Sequence, residues 1–451
     1  MNEREATRIQ LPRAVAAVLR LLEEAGHEAY AVGGCVRDSL LGKEPKDWDV
    51  TTSALPQEVK AVFHRTLDTG IKHGTVTVRI FGESIEVTTF RVDGVYEDGR
   101  HPKDVVFTPS LAEDLARRDF TINAMAYAPR RGIVDLYGGR EDLARGIVRA
   151  VGEPRERFTE DALRILRALR FAARLDFDIE EKTFAAMKEL SPRLSLISAE
   201  RIREELTGLL TSPHPERFAQ VREIGADKVI LPEWEEIAGV PQNNRFHCYP
   251  VDEHILATLP HVPPEPYLRW TMLLHDIGKG RTHTVDEDGH DHFYGHGKVS
   301  AQMAEEILRR LRFDNDTIDR VRTLILWHDF HFDGTPASVR RGLAKVGEDL
   351  FEPLLQVMRA DTLGKDAAGQ AFYLAAIGQV RAQHAQILAE GNCVTLKDLA
   401  VTGNDLIAAG EKPGKHLGEV LGALLEAVLE DPSLNEKEKL LALYGGMREK
   451  E

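Results

Sequence analysis

The spacing of apolar residues changes once along this chain, and that change most strongly limits how the chain can fold. Up to about residue 140 the apolar residues stand in short runs rich in β-branched side chains, and from Arg157 onward they recur at helical spacing. The runs that predict strands are residues 29–32, 48–50, 75–80 and 84–90. Residues 8–28 predict a helix. The sequence therefore predicts an α+β fold, with one small mixed sheet followed by a helical remainder.

Composition and charge exclude several classes of protein. The net charge of −15 excludes a protein that binds nucleic acid over its whole surface, so any RNA contact needs a local basic face. Cys35, Cys248 and Cys393 lie far apart with no C-x-x-C spacing, which argues against a disulfide framework or zinc ribbon and fits a reducing compartment. There is no signal-peptide pattern and no apolar run of about 18 residues. We therefore expect a cytoplasmic protein without a membrane span.

Two short motifs near the N-terminus have the residues to hold a phosphate and a metal ion. Gly33 and Gly34 lead into a helix-like stretch, where backbone N–H groups could approach a phosphate and Arg37 would add positive charge. Asp47 and Asp49 are two residues apart, so on a strand their carboxylates would share a face, and Mg²⁺ between them would relieve their repulsion. Taken alone, such motifs are more often an ordinary turn and an exposed strand end with solvated aspartates.

Further motifs follow these two in a fixed order, at residues 87–91, 96–102, 114–127 and 160–164. Together with G-G-x-x-R-D and D-x-D, they resemble class II CCA-adding enzymes and their bacterial poly(A) polymerase relatives, in the nucleotidyltransferase superfamily shared with DNA polymerase β. The resemblance extends to about residue 205. It implies a polymerase-β-like nucleotidyltransferase head that adds nucleotides to an RNA 3′ end.

The resemblance also implies which carboxylates would hold metal. Asp47 and Asp49 would bind two Mg²⁺ ions, one activating the RNA 3′-hydroxyl and the other steadying the triphosphate and the pyrophosphate leaving group. Glu86, on a later predicted strand, could complete this site, although a glutamate on a strand face is commonly structural.

The nucleotide contacts implied by the resemblance lie in three parts of the sequence. They are Gly33, Gly34, Arg37, Arg117, Arg118, Asp119, Asn123, Asp161, Arg164 and Arg167. Asp119 and Asn123 suit a ribose 2′-hydroxyl, which would favour ribonucleotides. The alternative for Asp119 is a solvated helix start at which this residue is the N-cap.

The pair Asp161 and Arg164 is the most informative of these contacts. Residues three apart share a helix face, so the two side chains could present an acceptor and forked donors to one base edge. By resemblance they serve as a protein template that selects cytosine and then adenine. A D-x-x-R pair by itself is usually a local salt bridge worth about 0.3–0.5 kcal/mol.

A second cluster lies in the C-terminal half, where histidines and aspartates recur in the order His…His-Asp…His…His…Asp. Imidazole and carboxylate together suit hard or borderline divalent metals. The order resembles the HD phosphohydrolase superfamily. By that resemblance the first metal would be held by His254, His275, Asp276 and Asp361, and a second by His296 and His328. The implied ion is Ni, Mn, Fe or Co, and the implied chemistry is hydrolysis of cyclic phosphates or phosphomonoesters at RNA ends. A structural metal site is the alternative.

These motifs predict four segments. They are a nucleotidyltransferase head (1–145), a helical neck and body (146–240), a helical HD domain (241–370) and a helical tail that contacts tRNA (371–451). The loop at 91–113 resembles the segment that switches such enzymes from CTP to ATP, and the C-terminus lacks a strongly basic extension. Both features favour CCA addition to tRNA, from CTP and ATP, over poly(A) synthesis.

The sequence is also compatible with an HD phosphohydrolase whose transferase head is inactive, and with a non-catalytic tRNA-binding module. The carboxylate pair at Asp47 and Asp49, followed by the predicted template residues, argues against the binding module. Nothing in the sequence requires an obligate protein partner.

Overall fold

The structure is a computed structural model that describes residues 8–93, 105–243, 249–391 and 395–448. Cys248, Cys393 and residues 94–104 of the predicted switching loop lie outside the described residues. The chain divides into two compact units, Met1–Pro232 and Glu233–Glu451.

A seven-stranded mixed sheet organises the described part of the first unit. The strands in chain order are β1 (Ala29–Val32), β2 (Asp49–Thr52), β3 (Thr66–Gly70), β4 (Thr75–Ile80), β5 (Glu83–Thr89), β6 (Arg91–Asp93), β7 (Val105–Phe107), β8 (Met125–Ala128) and β9 (Gly132–Asp135). The order across the sheet is β3-β4-β5-β2-β1-β8-β9, and β6 pairs separately with β7. Strands β2 and β5 run parallel, and the other neighbours in the sheet are antiparallel.

Five helices accompany the sheet strands in the described residues. They are α1 (Arg13–Glu24), α2 (Gly34–Leu40), α3 (Pro56–Val62), α4 (Leu111–Ala116) and α5 (Gly139–Arg145). The strands predicted at 29–32 and 75–80 are confirmed. The helix predicted over 8–28 is shorter, since it begins only after Pro12, which has no backbone N–H to donate.

The remainder of the first unit is almost wholly helical, as predicted. Its elements are β10 (Ile147–Val148), α6 (Pro154–Glu160), α7 (Leu163–Leu175), β11 (Asp178–Ile179), α8 (Glu181–Leu190), α9 (Ala199–Leu210), α10 (Ala219–Glu223) and α11 (Asp227–Ile230). The short strands β10 and β11 pair in parallel and interrupt the helical pattern. Helix α7 is central to the core, with Ile165, Leu166 and Leu169 almost fully buried.

The second unit is helical apart from one hairpin. Its elements are α12 (Val251–Thr258), α13 (Pro266–Leu274), α14 (Lys279–Thr282), β12 (Thr284–Val285), β13 (Asp291–His292), α15 (His296–Arg310), α16 (Asn315–Trp327), α17 (Pro336–Val346), α18 (Glu348–Leu363), α19 (Ala367–Glu390), α20 (Gly403–Ala408), α21 (Lys415–Glu430) and α22 (Lys437–Arg448). The antiparallel pair β12 and β13 confirms the turn or hairpin predicted around 282–292. Leu406, Leu424, Leu440 and Tyr444 form a core among the last three helices.

Short 3₁₀ segments connect several of these elements, and one of them carries a predicted site residue. They are Ile71–His73, Thr121–Asn123, Ser191–Leu196, Pro215–Phe218, Pro232–Glu236, Leu259–His261, Leu396–Asp398 and Pro432–Leu434. Among the described helices, none has both the length and the apolar character that crossing a membrane requires.

Candidate functional site

The parallel pairing of β2 and β5 places Asp49 directly opposite Glu86. Side chains opposite each other in a ladder point to the same face, so these two carboxylates are neighbours. Withdrawal from water raises the pKa of Asp49, and the negative charges of Glu86 and Asp47 raise it further, against the opposing charge of Arg118. Asp47, Asp49 and Glu86 are not among the groups of described residues whose candidate metal-ligand atoms all lie within 4.8 Å of one another.

Asp47 does not share a strand with Asp49, which corrects the premise of the D-x-D prediction. Strand β2 begins at Asp49, and Asp47 lies just before it. The reason lies in the neighbouring strand, since β1 ends at Val32 and Gly33 turns the chain into α2, so β1 offers Asp47 no partner.

The glycine turn packs against an arginine side chain. Gly33 has φ +81°, and a Cβ at this position would lie 3.1 Å from Nη1 of Arg118. Glycine is therefore required here both for its backbone conformation and for this close approach. The nitrogen of Gly33 donates to the carbonyl of Met125 at 3.1 Å, which fixes the turn beside β8.

Arg37 is not available to a phosphate in the way the sequence suggested. Its side chain is buried, and Nη1 donates to Oδ1 of Asn123 at 2.6 Å, while Nε donates to Oδ1 of Asp38 at 2.8 Å. Burial lowers the pKa of Arg37, and the charge of Asp38 partly offsets this. The guanidinium therefore holds Asn123 in place, and its charge is balanced by Asp38.

Arg117 and Arg118 are anchored by Asp114, which the sequence analysis did not single out. Nη2 of Arg117 lies 2.7 Å from Oδ1 of Asp114, and Nη2 of Arg118 lies 3.4 Å from Oδ2. The Asp114 side chain is fully buried and also accepts from the hydroxyl of Thr51 at 3.2 Å. Burial raises the pKa of Asp114, but the two arginines outweigh this and lower it. The spacing D-x-x-R-R was the signal for this contact, since these residues lie three and four apart.

Asp119 lies at the centre of a network that links the sheet to α7. Its Oδ2 accepts from Nε and Nη2 of Arg167 at 2.9 and 2.8 Å, and its Oδ1 accepts from Nδ2 of Asn123 at 3.1 Å. Burial alone would raise the pKa of Asp119, yet Arg167 and Asn123 together hold it at about 2. The alternative of a solvated N-cap is wrong, because Phe120 occupies the N-cap of Thr121–Asn123.

Asp161 and Arg164 do not share one helix face, which corrects the premise of the template prediction. Helix α6 ends at Glu160, Asp161 is extended with φ −141°, and α7 begins at Leu163. The cause is local, because Oδ1 of Asp161 accepts from the nitrogen of Leu163 at 3.0 Å and so caps the new helix. Oδ2 of Asp161 lies 2.7 Å from Nη2 of Arg201.

Arg164, which the sequence predicted to present forked donors to a base edge, is buried. Only 8% of the residue is exposed. Its Nη1 donates to Oε2 of Glu160 at 2.7 Å, and its Nη2 donates to the carbonyl of Arg117 at 3.0 Å. Arg164 therefore connects α7 to the segment that carries Arg117 and Arg118.

In the second unit, the structure brings together all six histidines and aspartates predicted to bind metal. One group contains His254, His275, Asp276 and Asp361, and a second contains Asp276, His296 and His328. Nε2 of His254 lies 2.9 Å from Oδ1 of Asp361 and 3.6 Å from Oδ2 of Asp276. Nε2 of His296 and of His328 lie 3.4 and 3.7 Å from Oδ1 of Asp276. Asp276 thus belongs to both groups.

All four of these histidines are oriented by backbone carbonyls. The Nδ1 atoms of His254, His275, His296 and His328 lie 3.2, 2.7, 2.9 and 2.6 Å from the carbonyls of Gly364, Met272, Phe293 and Ile325. Each Nδ1 can donate there, which leaves Nε2 with its lone pair toward the aspartates. Oriented imidazoles of this kind are typical of metal ligands.

The centre of the cluster contains polar atoms without hydrogen bonds. Nε2 of His275 and Oδ1 of Asp276 are buried and make no hydrogen bond of acceptable geometry within the described residues, whereas Oδ2 of Asp276 is in an ion pair with Nζ of Lys279 at 2.7 Å. Unsatisfied buried groups are costly and need an explanation such as a bound ion. Burial lowers the pKa of His254 and of His296, which favours the neutral imidazole that a metal requires. Burial also acts to lower the pKa of His275, but the carboxylates of Asp276 and Asp361 outweigh it and raise that pKa to about 9, and a cation bound to these carboxylates would oppose this effect. The residues present therefore fit a divalent metal.

Two lysines, which sequence reasoning missed, border the cluster. Nζ of Lys279 lies 2.7 Å from Oδ2 of Asp276, and Nζ of Lys365 lies 2.5 Å from Oδ2 of Asp361. Each lysine follows its aspartate by three or four residues on the chain, a spacing that could have revealed them.

Comparisons with known proteins cover nearly the whole chain. Family models match residues 29–149 (poly A polymerase head domain), 176–237 (probable RNA and SrmB-binding site of polymerase A) and 293–444 (putative tRNA nucleotidyltransferase domain 2). The last model includes His296, His328 and Asp361 but begins after His254, His275 and Asp276.

Similar proteins agree with these models. The CCA-adding enzyme of Lactobacillus helveticus is 37% identical over 418 residues, 91% of each chain, and that of Enterococcus faecalis is 35% identical over 443 residues, 96% of each chain. The crystal structure of the Bacillus stearothermophilus CCA-adding enzyme in complex with CTP matches 98% of this chain and 100% of that chain, with 30% identity and a TM-score of 0.71.

Proposed function

Since this chain belongs to the family of CCA-adding enzymes, which are nucleotidyltransferases, we propose that it adds C, C and A to the 3′ end of tRNA from CTP and ATP. The observation that supports this most strongly is similarity over more than nine-tenths of the chain to relatives that carry this activity in their names. We further propose that the reaction takes place in the cytoplasm, without a nucleic-acid template.

In this proposal the head carboxylates hold magnesium. Asp47, Asp49 and Glu86 carry like charges beside one another, and hard oxygen ligands of this type suit Mg²⁺. Bound Mg²⁺ would lower the barrier to attack by the 3′-hydroxyl and stabilise the pyrophosphate that leaves. Burial raises the pKa of Asp49, and repulsion from Glu86 and Asp47 raises it further. That repulsion supports this assignment, because a nearby cation would remove it.

The residues around Asp119 bind the nucleotide's ribose and phosphates in this proposal. Asp119 and Asn123 have their orientation fixed by Arg167 and Arg37, so a ribose hydroxyl meets groups that are already positioned. Arg118 packs against the glycine turn at Gly33, where it can neutralise phosphate charge.

Asp161 and Arg164 select the base in this proposal. They flank the short break between α6 and α7, and each is held by a partner, Arg201 for Asp161 and Glu160 for Arg164. A rigid acceptor and a rigid forked donor can discriminate base edges by hydrogen bonding. In the structure both side chains are bonded to other residues of the chain. To read a base, each would have to replace its present partner with the nucleotide or bond to both at once.

A decisive experiment supplies tRNA lacking its last three nucleotides with each nucleoside triphosphate in turn and then sequences the products. We expect C, C and A to be added, followed by a stop. A long adenosine tail would instead identify a poly(A) polymerase, the activity named in the family model for the head. Failure to extend any RNA would favour a tRNA-binding module.

A second activity is favoured by the histidine–aspartate cluster. We propose that residues 241–370 form an HD-type domain in which His254, His275, Asp276 and Asp361 hold one divalent metal, and His296 and His328 with Asp276 hold a second. Such metals would supply a water-derived nucleophile for hydrolysing phosphate esters. The supporting observation is the set of unsatisfied buried atoms on His275 and Asp276. A purely structural metal is the alternative.

The same proposal divides the rest of the chain as the sequence motifs do. Residues 1–145 form the catalytic head, 146–240 the neck and body that read the nucleotide, and 371–451 a tail for tRNA. Deleting the tail is expected to weaken tRNA binding while leaving the affinity for CTP unchanged.

A further inference from the structure

A cavity of about 560 Å³ opens over the histidine–aspartate cluster. Its floor contains Asp276, Asp361, Lys279 and Lys365, and its rim contains the hairpin residues 290–294. A phosphate ester on a metal at the floor would meet both lysine ammonium groups. The rim residues would then contact the organic group that is esterified to the phosphate.

The rim presents an exposed aromatic ring whose orientation is fixed. Tyr294 is 79% exposed, and its ring stacks on that of His292 with an interplanar angle of 8° and centroids 5.2 Å apart. Nε2 of His292 lies 2.8 Å from Oδ2 of Asp286, so the supporting imidazole is itself held in place.

The strands behind this stack are fixed to the unit by several contacts. Oδ1 of Asp291 lies 2.6 Å from Nε2 of His283, and its Oδ2 accepts from the nitrogen of Asn243 at 2.6 Å. The ring of Phe293 stacks on His283 and lies 5.3 Å from Nζ of Lys279. The hairpin is thus connected to the lysine that borders the cluster.

One face of the Tyr294 ring packs on His292, the rest of the ring is exposed, and both side chains line the cavity over the histidine–aspartate cluster. Here the open face of Tyr294 and a phosphate-binding floor belong to the same cavity, a combination that matches a ligand with a phosphate at one end and a flat ring at the other. Bases stack on aromatic side chains regardless of sequence, because every base has a π-face.

We infer that Tyr294, supported by His292, is the specificity-determining platform of the second site and selects nucleoside phosphates by stacking on the base. This inference rests on the proposed metal site at His275 and Asp276. It concerns affinity and substrate choice, so Tyr294 is not required for the hydrolytic step itself.

The test uses the full chain carrying Asp47→Asn and Asp49→Asn, so that the head binds no metal, loaded with cobalt(II). The visible absorption of cobalt reports ligands at the histidine cluster whether or not hydrolysis occurs. Titration with adenosine 3′-monophosphate, phenyl phosphate, β-glycerophosphate and inorganic phosphate gives four dissociation constants. The variants are Tyr294→Ala, Tyr294→Phe and, as a matched control on the same hairpin, Val285→Ala, whose side chain is exposed but does not line the cavity.

We expect the adenosine phosphate to bind at least about tenfold more tightly than β-glycerophosphate. Tyr294→Ala should abolish that preference without weakening inorganic phosphate, and Tyr294→Phe and Val285→Ala should retain it. Equal effects of Tyr294→Ala on all four ligands, or no effect, would overturn the inference. A preference for phenyl phosphate equal to that for the nucleotide would overturn the assignment to nucleosides.

The same samples separate this inference from the proposed hydrolase. If cobalt and the nucleotide bind with the expected preference but no phosphate is released, the hydrolase proposal fails and the platform is supported. If the cluster binds no cobalt, both the proposed metal site and the inferred role of Tyr294 are wrong.

Discussion

Asp49 lies directly opposite Glu86 in the parallel ladder between β2 and β5, although 37 positions separate them in the chain. Neither residue would be adjacent to the other without this strand pairing, and Asp47 joins them from the segment just before β2. Burial raises the pKa of Asp49, and the negative charge that accumulates there raises it further. A cation is the simplest way to stabilise such a group.

Asp47→Asn and Asp49→Asn should each abolish incorporation of CTP and ATP together. Losing metal stabilisation worth several kcal/mol corresponds to a fall in kcat/KM of about 10³-fold. Glu86→Gln should give a smaller loss. Glu83→Gln, on the same strand but outside the site, should behave as wild type. Loss of only one nucleotide's incorporation would contradict a shared metal.

Asp161→Ala should allow incorporation of UTP or GTP, because the enzyme would discriminate less well between bases. A well-placed hydrogen-bonding pair provides about 1–3 kcal/mol of discrimination between bases. Arg201→Ala is the matched control, because it removes the ion pair while keeping the Asp161 carboxylate. If both variants change base selection equally, the pair with Arg201 is what matters and Asp161 does not read the base.

Arg164→Ala should also relax base selection, and it should lower the melting temperature. It leaves the carboxylate of Glu160 and the carbonyl of Arg117 without this donor in a buried place. Arg155→Ala, an exposed arginine on α6, should change neither property. Base selection that stays at wild-type level in Arg164→Ala would contradict the template role.

Gly33→Ala and Gly42→Ala separate backbone strain from contact with Arg118. Both glycines have positive φ, so alanine should cost about 1–2 kcal/mol of stability at Gly42, and more at Gly33, whose ψ of −129° places it outside the left-handed helical region. Only at Gly33 would the new methyl group approach Arg118, at 3.1 Å, and at Gly42 nothing lies within 4 Å. We expect the KM for CTP to rise about tenfold in Gly33→Ala alone. Equal KM values in the two variants would contradict a role for Arg118 in binding.

His275→Ala combined with Asp276→Ala should remove the bound transition metal and any phosphohydrolase activity, while Mg²⁺-supported CCA addition continues. A structural metal predicts instead a lower melting temperature and no hydrolysis even in the wild type. His331→Ala, exposed and three residues beyond His328, is the control. Loss of CCA addition in a folded double variant would contradict both the hydrolytic and the structural role of the metal site.

The stability contributed by Asp119 should be lost in acid. Its pKa is about 2 in the folded chain and about 3.9 in an unfolded one, so the ionised carboxylate stabilises the fold by about 2 kcal/mol above pH 5. That contribution falls as the pH drops below about 4 toward 2. The difference in free energy of unfolding between wild type and Asp119→Asn, measured with urea, should therefore be constant from pH 7 to 5 and fall to roughly half by pH 3. A constant difference down to pH 3 would contradict the network with Arg167.

Local patterns were sufficient to predict most elements, whereas the composition of the second site was predicted by resemblance. A short apolar run predicted β1, a run rich in β-branched residues predicted β4, and the apolar stretch that ends at Leu274 placed His275 and Asp276 at a helix end. The set of six histidines and aspartates was predicted by the resemblance to the HD phosphohydrolase superfamily, and the structure brings these six residues together.

Partner choice over long distances could not be predicted. Arg37 bonds to Asn123, 86 positions later, and no local signal distinguishes that contact from one with a phosphate. The break at Asp161 was missed for a different reason, because a helical pattern continues through it while the carboxylate of Asp161 caps a new helix. Sequence patterns report which face is apolar and do not report which hydrogen bond a polar side chain prefers.

The strand order has a consequence for how the head forms during synthesis. Strand β1 lies between β2 and β8, so its second edge remains unpaired until Met125–Ala128 has been translated. The carboxylates of Asp49 and Glu86 similarly become neighbours only after β5 has been translated and has paired with β2. Contacts of such long sequence separation form slowly, since a large loop must close before any pairing stabilises it. A nascent chain stalled before β8 would therefore expose a β edge prone to aggregation, and chaperone dependence should be greatest for ribosome-bound fragments that end between β5 and β8.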